Sequence, residues 1–463
     1  MSDPYRPVRA VPGPSGRPVP GDPTWDDDLG PEPTLVPLAQ TSGTSTRPAR
    51  SWFPLVAFLA VLAVLMLTVW QARVQLPESG EADFHPPVPH EEVLGGWLWF
   101  DASWYVDIAA HGYSDQQIEA FDAGQQSSVA FFPAYPIAVR SVAELTGLPI
   151  PAAAMLTTGV CGLLVALLFW TWCGRWLEDR SRRLALVLLL VYPYAWFLYA
   201  SGYADALFLA SVLGVCVLID RDHPVAAGLL GIVTTAARPS GLPALAGLVA
   251  IGLDHRGILT RSGPTRSPAG EASAALGSRL AGWWRHERRR WRLAPARARL
   301  ADAGILLAGL GGGTWMLYLQ QRTGDALAFA SVQAAPGWNQ SAGPATWFKR
   351  AFFAHVWHDP LSFSGRLIAQ AVLCLLFLAC VPWVTRRFGW GYGCYVLLVV
   401  GVPAVGAADF QGVGRYLLAA FPVFALLGEA CARRRRLERW LVPASAVALV
   451  ALTTLFAQGH YLT

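Results

Sequence analysis

The chain has 463 residues, of which 54% are hydrophobic and only 14% charged, where a soluble globular chain carries about 25% charged residues. Repeated apolar runs approach the ~20 residues needed to cross a bilayer, which excludes a string of ordinary soluble domains and predicts an all-α polytopic membrane protein. The net charge of +5 comes almost wholly from arginine, with Lys349 the single lysine. The basic excess lies in loops between apolar runs, so it reports topology and not a nucleic-acid partner. The arginine bias suits a GC-rich, bacterial genome.

Residues 1–50 are rich in Pro, Gly and charge and bury too little apolar surface to fold; they read as a disordered cytoplasmic tail. The first apolar run begins only near Phe53, too late for an ordinary signal sequence. It gives a first span from Phe53 to Trp70, preceded by Arg47 and Arg50, which places the N-terminus inside. The stretch that follows has many acidic residues and no arginine up to Ser128, so 75–150 reads as a large first outer loop. Within it, "FFPAYPIAVRSVAELTG" carries prolines and Arg140 and suits a surface helix better than a span.

The next span, Ala152 to Trp172, ends at Arg175, Arg180, Arg182 and Arg183 and so ends inside. Spans near Leu184–Ala200 and Ala204–Ile219 follow. The long apolar stretch Val225–Leu253 is broken at Arg238-Pro239, and parity asks for two half-spans meeting there; irregular backbone at depth needs cover from protein or a water-filled cavity. The 254–300 loop holds eleven arginines and reads as a flexible cytoplasmic linker. Further spans near Ala301–Leu319, Leu367–Val384, Gly391–Ala407, Tyr416–Cys431 and Trp440–Phe456 enclose a second outer loop, 321–365. The expected total is about eleven crossings in a 51–457 membrane domain, with 458–463 outside.

The seven cysteines, at 161, 173, 216, 374, 380, 394 and 431, fall in or beside apolar runs without CxxC spacing and read as buried thiols. "HVWHDP" around His355 and His358 is a weak metal signal, and His85 and His90 are lone loop histidines, so no metal site is expected. "GLGGG", Gly309–Gly313, lies in an apolar helix where small residues allow close packing; it follows no strand, so it is not a nucleotide loop.

"WFDASWYVDIAAHGY", Trp99–Tyr113, holds the chemistry. On a helix, Asp101, Tyr105, Ile108 and Gly112 share one stripe. Trp97, Trp99, Trp104 and Tyr105 are the residue types of a headgroup boundary, so the segment reads as an interfacial helix with Asp101 near its start. Asp101 then serves either as an N-cap or as a single base. Asp107 lies roughly 120° around the helix, so the two carboxylates do not form a facing dyad. Asp205, Arg238 and Arg415 fall near outer ends of spans, where an ion points to function. The arginines suit a phosphate, or internal Asp–Arg pairs.

These residues resemble the PIG-V-like mannosyltransferases. The pattern in that family is W/F-D-x-x-x-Y/W-x-x-I-A-x-x-G-Y followed by F-F-P-x-Y/F-P, matched here by the Trp99–Tyr113 segment and "AFFPAYPIAVR". "YPYAWFLYASGYADALF", "AARPSGL", "GDALAFASVQAAPGW" and "GRYLLAAFPVFALLG" match later family segments in order. The resemblance implies a GT-C bundle that transfers mannose, or a similar sugar, from a polyprenyl-phosphate carrier on the outer face of the plasma membrane. It implies an inverting reaction with Asp101 as base; a lipid-phosphate leaving group neutralised by arginines does not itself need a metal, so no required cofactor is expected. It also implies Arg238 and Arg415 at the leaving phosphate, and Tyr105, His111, Tyr113, Asp205, Gln333 and Trp338 at substrate. Asp205 stands where many members have Glu. The acceptor, whether glycolipid, glycan or protein, does not carry over. The competing class is a lipid or sugar transporter, which also uses broken helices and buried ions; no repeated halves are visible. A non-catalytic lipid-binding scaffold is a third reading, in which Asp101 would be replaceable.

Overall fold

The computed structural model describes residues 51–75, 95–261, 291–338, 340 and 343–462. The 1–50 tail, residues 76–94 with His85 and His90, residues 262–290 of the arginine-rich loop and Thr463 lie outside the described residues. Among the described residues the fold is helical, apart from one short antiparallel pair, Leu259–Arg261 with Trp291–Leu293. That pair closes the flanks of a loop expected to be a linker.

Among the described residues, five helices are long and apolar enough to cross a membrane: Phe53–Gln75, Ile150–Trp176, Leu300–Thr323, Phe363–Phe388 and Arg435–Ala457. A sixth is counted if the pair Val413–Ala419 and Phe421–Arg433, bent by 78°, is one broken span. Pro422 sits at the start of the second half of that pair, where its missing N–H is tolerated.

The expected span Leu184–Ala200 takes a different form. Its helix, Asp179–Leu190, stops ahead of Pro193, and a buried turn with the short 3-10 segment Ala195–Leu198 follows. Proline lacks a donor and disfavours helix at the residue before it. The same chemistry breaks the chain at Arg238-Pro239: Pro224–Ala237 and Gly241–Arg256 meet there, with Arg238 extended at φ −169° and ψ 161°.

Small residues let these helices touch. A Cβ on Gly228 would lie 1.8 Å from the Gly304 carbonyl oxygen, and one on Gly311 would lie 2.1 Å from that of Ile232. The "GLGGG" run thus packs partly as its composition suggests: Gly311 and Gly312 face Thr235, whereas Gly313 faces open space.

Residues 101–146 fold as three helices, Asp101–His111, Asp115–Asp122 and Ala134–Thr146. They share a second apolar core, with Tyr105, Phe132 and Tyr135 against Trp315, Leu319 and Phe329. Arg140 Nε donates to the Ala109 carbonyl at 2.7 Å and ties two of the three together. The 13-residue helix Ala134–Thr146 is ~20 Å long, too short to span.

The tryptophans depart from their expected place. Trp97 and Trp99 are buried in the main core, not at a lipid boundary. Residues 95–100 wedge between Phe53–Gln75 and Arg435–Ala457, and Trp99 Nε1 donates to the Ala457 carbonyl at 3.2 Å. Of the seven cysteines, Cys380 and Cys394 are partly exposed and the others buried, and all are free thiols.

Candidate active site

Asp101 opens the helix Asp101–His111, and Phe100 before it holds φ +57°. A positive φ is costly for a bulky residue and persists only where packing fixes it. Here the Phe100 ring meets Tyr461 at 4.8 Å and Phe456 at 6.0 Å, and the Tyr203 hydroxyl donates to the Trp99 carbonyl at 3.0 Å. Asp101 is therefore the first helical residue and not the N-cap. A carboxylate in a first helical turn is favoured by the helix dipole.

The Asp101 carboxylate accepts from Arg415 Nη1 at 2.8 Å, with the two side chains 17% and 11% exposed. Arg415 reaches it from the short helix Val413–Tyr416, ahead of the 78° bend. A second pair lies deeper. Asp205, the first residue of helix Asp205–Asp220, accepts from Arg238 at the Arg238-Pro239 break, and these side chains are 5% and 9% exposed. Tyr416 joins the two pairs: its ring centroid is 4.7 Å from the Arg238 guanidinium and 5.3 Å from that of Arg415. Stacking of this kind suits the planar guanidinium.

A small cavity is lined by Asp205, Arg238, Ser240, Arg415 and Tyr416, with apolar walls such as Phe208. Two buried polar atoms of this lining, Ser240 Oγ and Arg415 Nε, have no hydrogen-bond partner among the described residues. Buried donors are normally satisfied, so such atoms mark a place for a ligand or water. Tyr105 stands one helical turn after Asp101 and is buried. Burial pushes its hydroxyl well above the usual phenol range, the Arg238 charge opposing it, and Asp101 and Asp205 add to the rise. The hydroxyl is thus a standing donor within electrostatic reach of both pairs.

The structure brings together Asp101, Tyr105, Asp205, Arg238 and Arg415. It leaves others apart. His111 Nδ1 lies 2.8 Å from Asp107, and both are exposed. The Tyr113 hydroxyl is spent on the Phe131 carbonyl at 2.7 Å, and its ring packs on Trp315 at 4.6 Å. Gln333 accepts through its backbone carbonyl from Gln340 N at 2.7 Å. Trp338 meets Trp104 at 5.9 Å, and Trp104 lies three positions after Asp101, so these rings flank the helix that carries the carboxylate. His355 pairs with Asp359 at 2.6 Å. Among the described residues no group of three or more His, Cys, Asp or Glu side chains is placed to hold a metal ion.

Sequence reasoning missed Tyr416, Ser240 and Gln370. The first two sit beside named arginines in "GRY" and "ARPS", and that adjacency was the available signal. Gln370 gave none. It is buried, accepts from Gly414 N at 3.0 Å and donates to the Leu462 carbonyl at 3.4 Å, which braces the residue before Arg415.

No family model matches the sequence. The chain is similar to GPI alpha-1,6-mannosyltransferase 2. The Mus musculus protein is 30% identical over 184 residues, covering 37% of this chain and 34% of that protein. The Cricetulus griseus protein is 30% identical over 165 residues, 33% of this chain and 31% of that one. The chain therefore matches about a third of the length of these curated relatives. Among solved structures, ArnT from Cupriavidus metallidurans, bound to undecaprenyl phosphate, gives a TM-score of 0.44 at 14% identity, over 88% of this chain and 77% of that one. The archaeal oligosaccharyltransferase AglB from Archaeoglobus fulgidus, in complex with an inhibitory peptide and a dolichol-phosphate, gives 0.40 at 12% identity, over 89% and 57%.

Proposed function

We propose that this chain is an integral-membrane glycosyltransferase of the GT-C class. It moves a mannosyl or similar residue from a polyprenyl-phosphate sugar to a glycolipid, glycan or protein acceptor, with inversion and with Asp101 as general base. The observation that carries the reading is two ion pairs, Asp101–Arg415 and Asp205–Arg238, joined through the Tyr416 ring beside a cavity that both arginines line and that holds unsatisfied donors. The similarity to GPI alpha-1,6-mannosyltransferase 2 supports mannose as the sugar.

The chemistry follows from charge. The acceptor hydroxyl attacks the anomeric carbon as Asp101 takes its proton, and the bond from that carbon to the phosphate oxygen breaks. The electron pair leaves with the lipid phosphate. Asp101, Asp205, Arg238 and Arg415 together carry no net charge. Protonation of Asp101 makes the set positive by one as the phosphodiester becomes a monoester with one more negative charge. The group thus matches the transition state better than the ground state, which is the condition for catalysis. Base catalysis of this type contributes ~10²–10⁴-fold. Arg415 Nε is the donor left over to receive phosphate while Nη1 holds Asp101. Two guanidiniums at the leaving phosphate supply the charge a metal would otherwise supply, so no cofactor is proposed. Trp104 and Trp338 offer ring faces on the side of the acceptor or sugar.

In this reading the membrane passages number about eleven. The apolar helices Pro224–Ala237 and Trp390–Gly406 and the bent pair supply passages or half-passages beyond the five long helices. The arginine distribution favours an inside N-terminus, which leaves the reacting groups at the outer face; the membrane we propose is a bacterial plasma membrane.

The test is transfer by the purified chain in liposomes, supplied in turn with polyprenyl-phosphate-linked mannose, glucose, galactose and arabinose and an acceptor mixture. The expected result is release of polyprenyl phosphate with an anomerically inverted product from one donor. Movement of intact lipid-linked sugar between leaflets without release would favour a transporter.

A further inference from the structure

A second concave site lies at the arginine-rich end of the last long helix. Its volume is about 410 Å³, within the range of small-molecule pockets, and it is lined by Arg180, Leu184, Arg435, Glu438, Arg439, Val442 and Pro443. It shares no residue with the cavity lined by Arg238 and Arg415.

Its lining divides by chemistry. Arg435 and Arg439 stand one turn apart on the helix Arg435–Ala457, so they share a face. Arg180 faces them from the start of helix Asp179–Leu190, holding Glu438 at 2.5 Å. That pair cancels within the groove, while Arg435 and Arg439 enter no ion pair among the described residues, so two positive charges remain. Leu184, Val442 and Pro443 form the remaining wall, and Val442 and Pro443 continue into the apolar part of a helix that is itself a candidate span. Trp440, next to Arg439, is 79% exposed, as an interfacial anchor would be.

We propose that this groove binds one anionic glycerophospholipid. The phosphodiester lies between Arg435 and Arg439, and the acyl chains follow Leu184 and Val442 along the helix. The charge selects an anion, and the apolar wall at membrane depth selects one with a hydrocarbon tail over a free phosphate. The guanidinium forks match the phosphate geometry.

The experiment uses the full chain, purified, delipidated and held in neutral detergent. Melting temperature is followed while short-chain phosphatidylglycerol, short-chain phosphatidylcholine or inorganic phosphate is added. The expected result is a saturable rise with phosphatidylglycerol alone. An R435Q/R439Q double substitution weakens the apparent affinity roughly 30-fold, at about fivefold per arginine. Both side chains are exposed, so the double substitution leaves the starting melting temperature unchanged. R436Q, in the same basic run but outside the groove, leaves the affinity near wild type. A photoactivatable phosphatidylglycerol, mapped by peptide mass spectrometry on the unsubstituted chain, labels the peptides of 180–184 and 435–443. Four results each overturn the proposal: an equal rise with phosphatidylcholine or inorganic phosphate, no rise at all, the same loss in R436Q as in the double variant, or labelling elsewhere.

Discussion

Arg415 Nη1 donates to Asp101 Oδ2 at 2.8 Å across 314 positions of sequence. The start of the helix Asp101–His111 and the first half of a bent helix pair thus meet at one charge pair. If the pair is the resting form of a base and its phosphate-binding partner, the arginine has a second task once the donor arrives. Arg415→Gln is then expected to lower kcat by about 10²–10³-fold, the usual cost of removing one transition-state donor. Arg415→Lys recovers only part of it, because an ammonium cannot serve carboxylate and phosphate with a planar fork. Steady-state transfer kinetics at matched expression check both.

The deeper pair answers to stability. Removing one partner of a buried ion pair leaves an uncompensated charge, at about 3–5 kcal/mol. Arg238→Met and Asp205→Leu are each expected to destabilise by that order, and the double substitution by clearly less than the sum. Thermal unfolding in detergent of the four proteins in the cycle gives the coupling. Simple additivity would show that the two side chains are not paired.

Tyr416 lies within stacking distance of both guanidiniums through its ring, not its hydroxyl. Tyr416→Phe should therefore keep near-wild-type transfer. Tyr416→Leu loses two cation–π contacts, each worth about 0.5–2 kcal/mol, and is expected to lower kcat about tenfold or more. Equal losses in the two variants would assign the role to the hydroxyl instead.

Glycine packing makes a prediction with two signs. A Cβ on Gly228 would sit 1.8 Å from the Gly304 carbonyl oxygen, a backbone atom that cannot step aside, so Gly228→Ala is expected to destabilise by about 1–3 kcal/mol. Gly313 has nothing within 4 Å of the same position and lies inside the helix Gly309–Thr323, so Gly313→Ala should stabilise by about 0.5–1 kcal/mol. The two melting temperatures, measured side by side, decide it.

Much of this was legible in the sequence, for identifiable reasons. Apolar length marked Phe53–Trp70, Ala152–Trp172 and Trp440–Phe456, which fall inside the longer helices Phe53–Gln75, Ile150–Trp176 and Arg435–Ala457, and Arg238-Pro239 marked the broken stretch, since proline acts locally. Asp101, Asp205, Arg238 and Arg415 stood out as ions beside apolar runs. Their partners did not, because which arginine meets which aspartate depends on helix packing and not on spacing. Trp97 and Trp99 misled, because a tryptophan near a span reads the same whether it faces headgroups or a neighbouring helix. His111 and Tyr113 shared a motif with Asp101, yet His111, still inside the helix, meets Asp107 one turn back on it, and Tyr113, beyond the helix end at Gly112, donates to the Phe131 carbonyl.

The most direct measurement is transfer by Asp101→Asn. The substitution keeps shape and removes the charge that takes the proton. Wild type and variant, matched in amount and in melting temperature, are supplied with the donor that the wild type uses, and released polyprenyl phosphate is counted. The account predicts a loss of at least about 10²-fold in the variant, with donor affinity little changed. Transfer that survives the substitution would contradict it and remove Asp101 as the base.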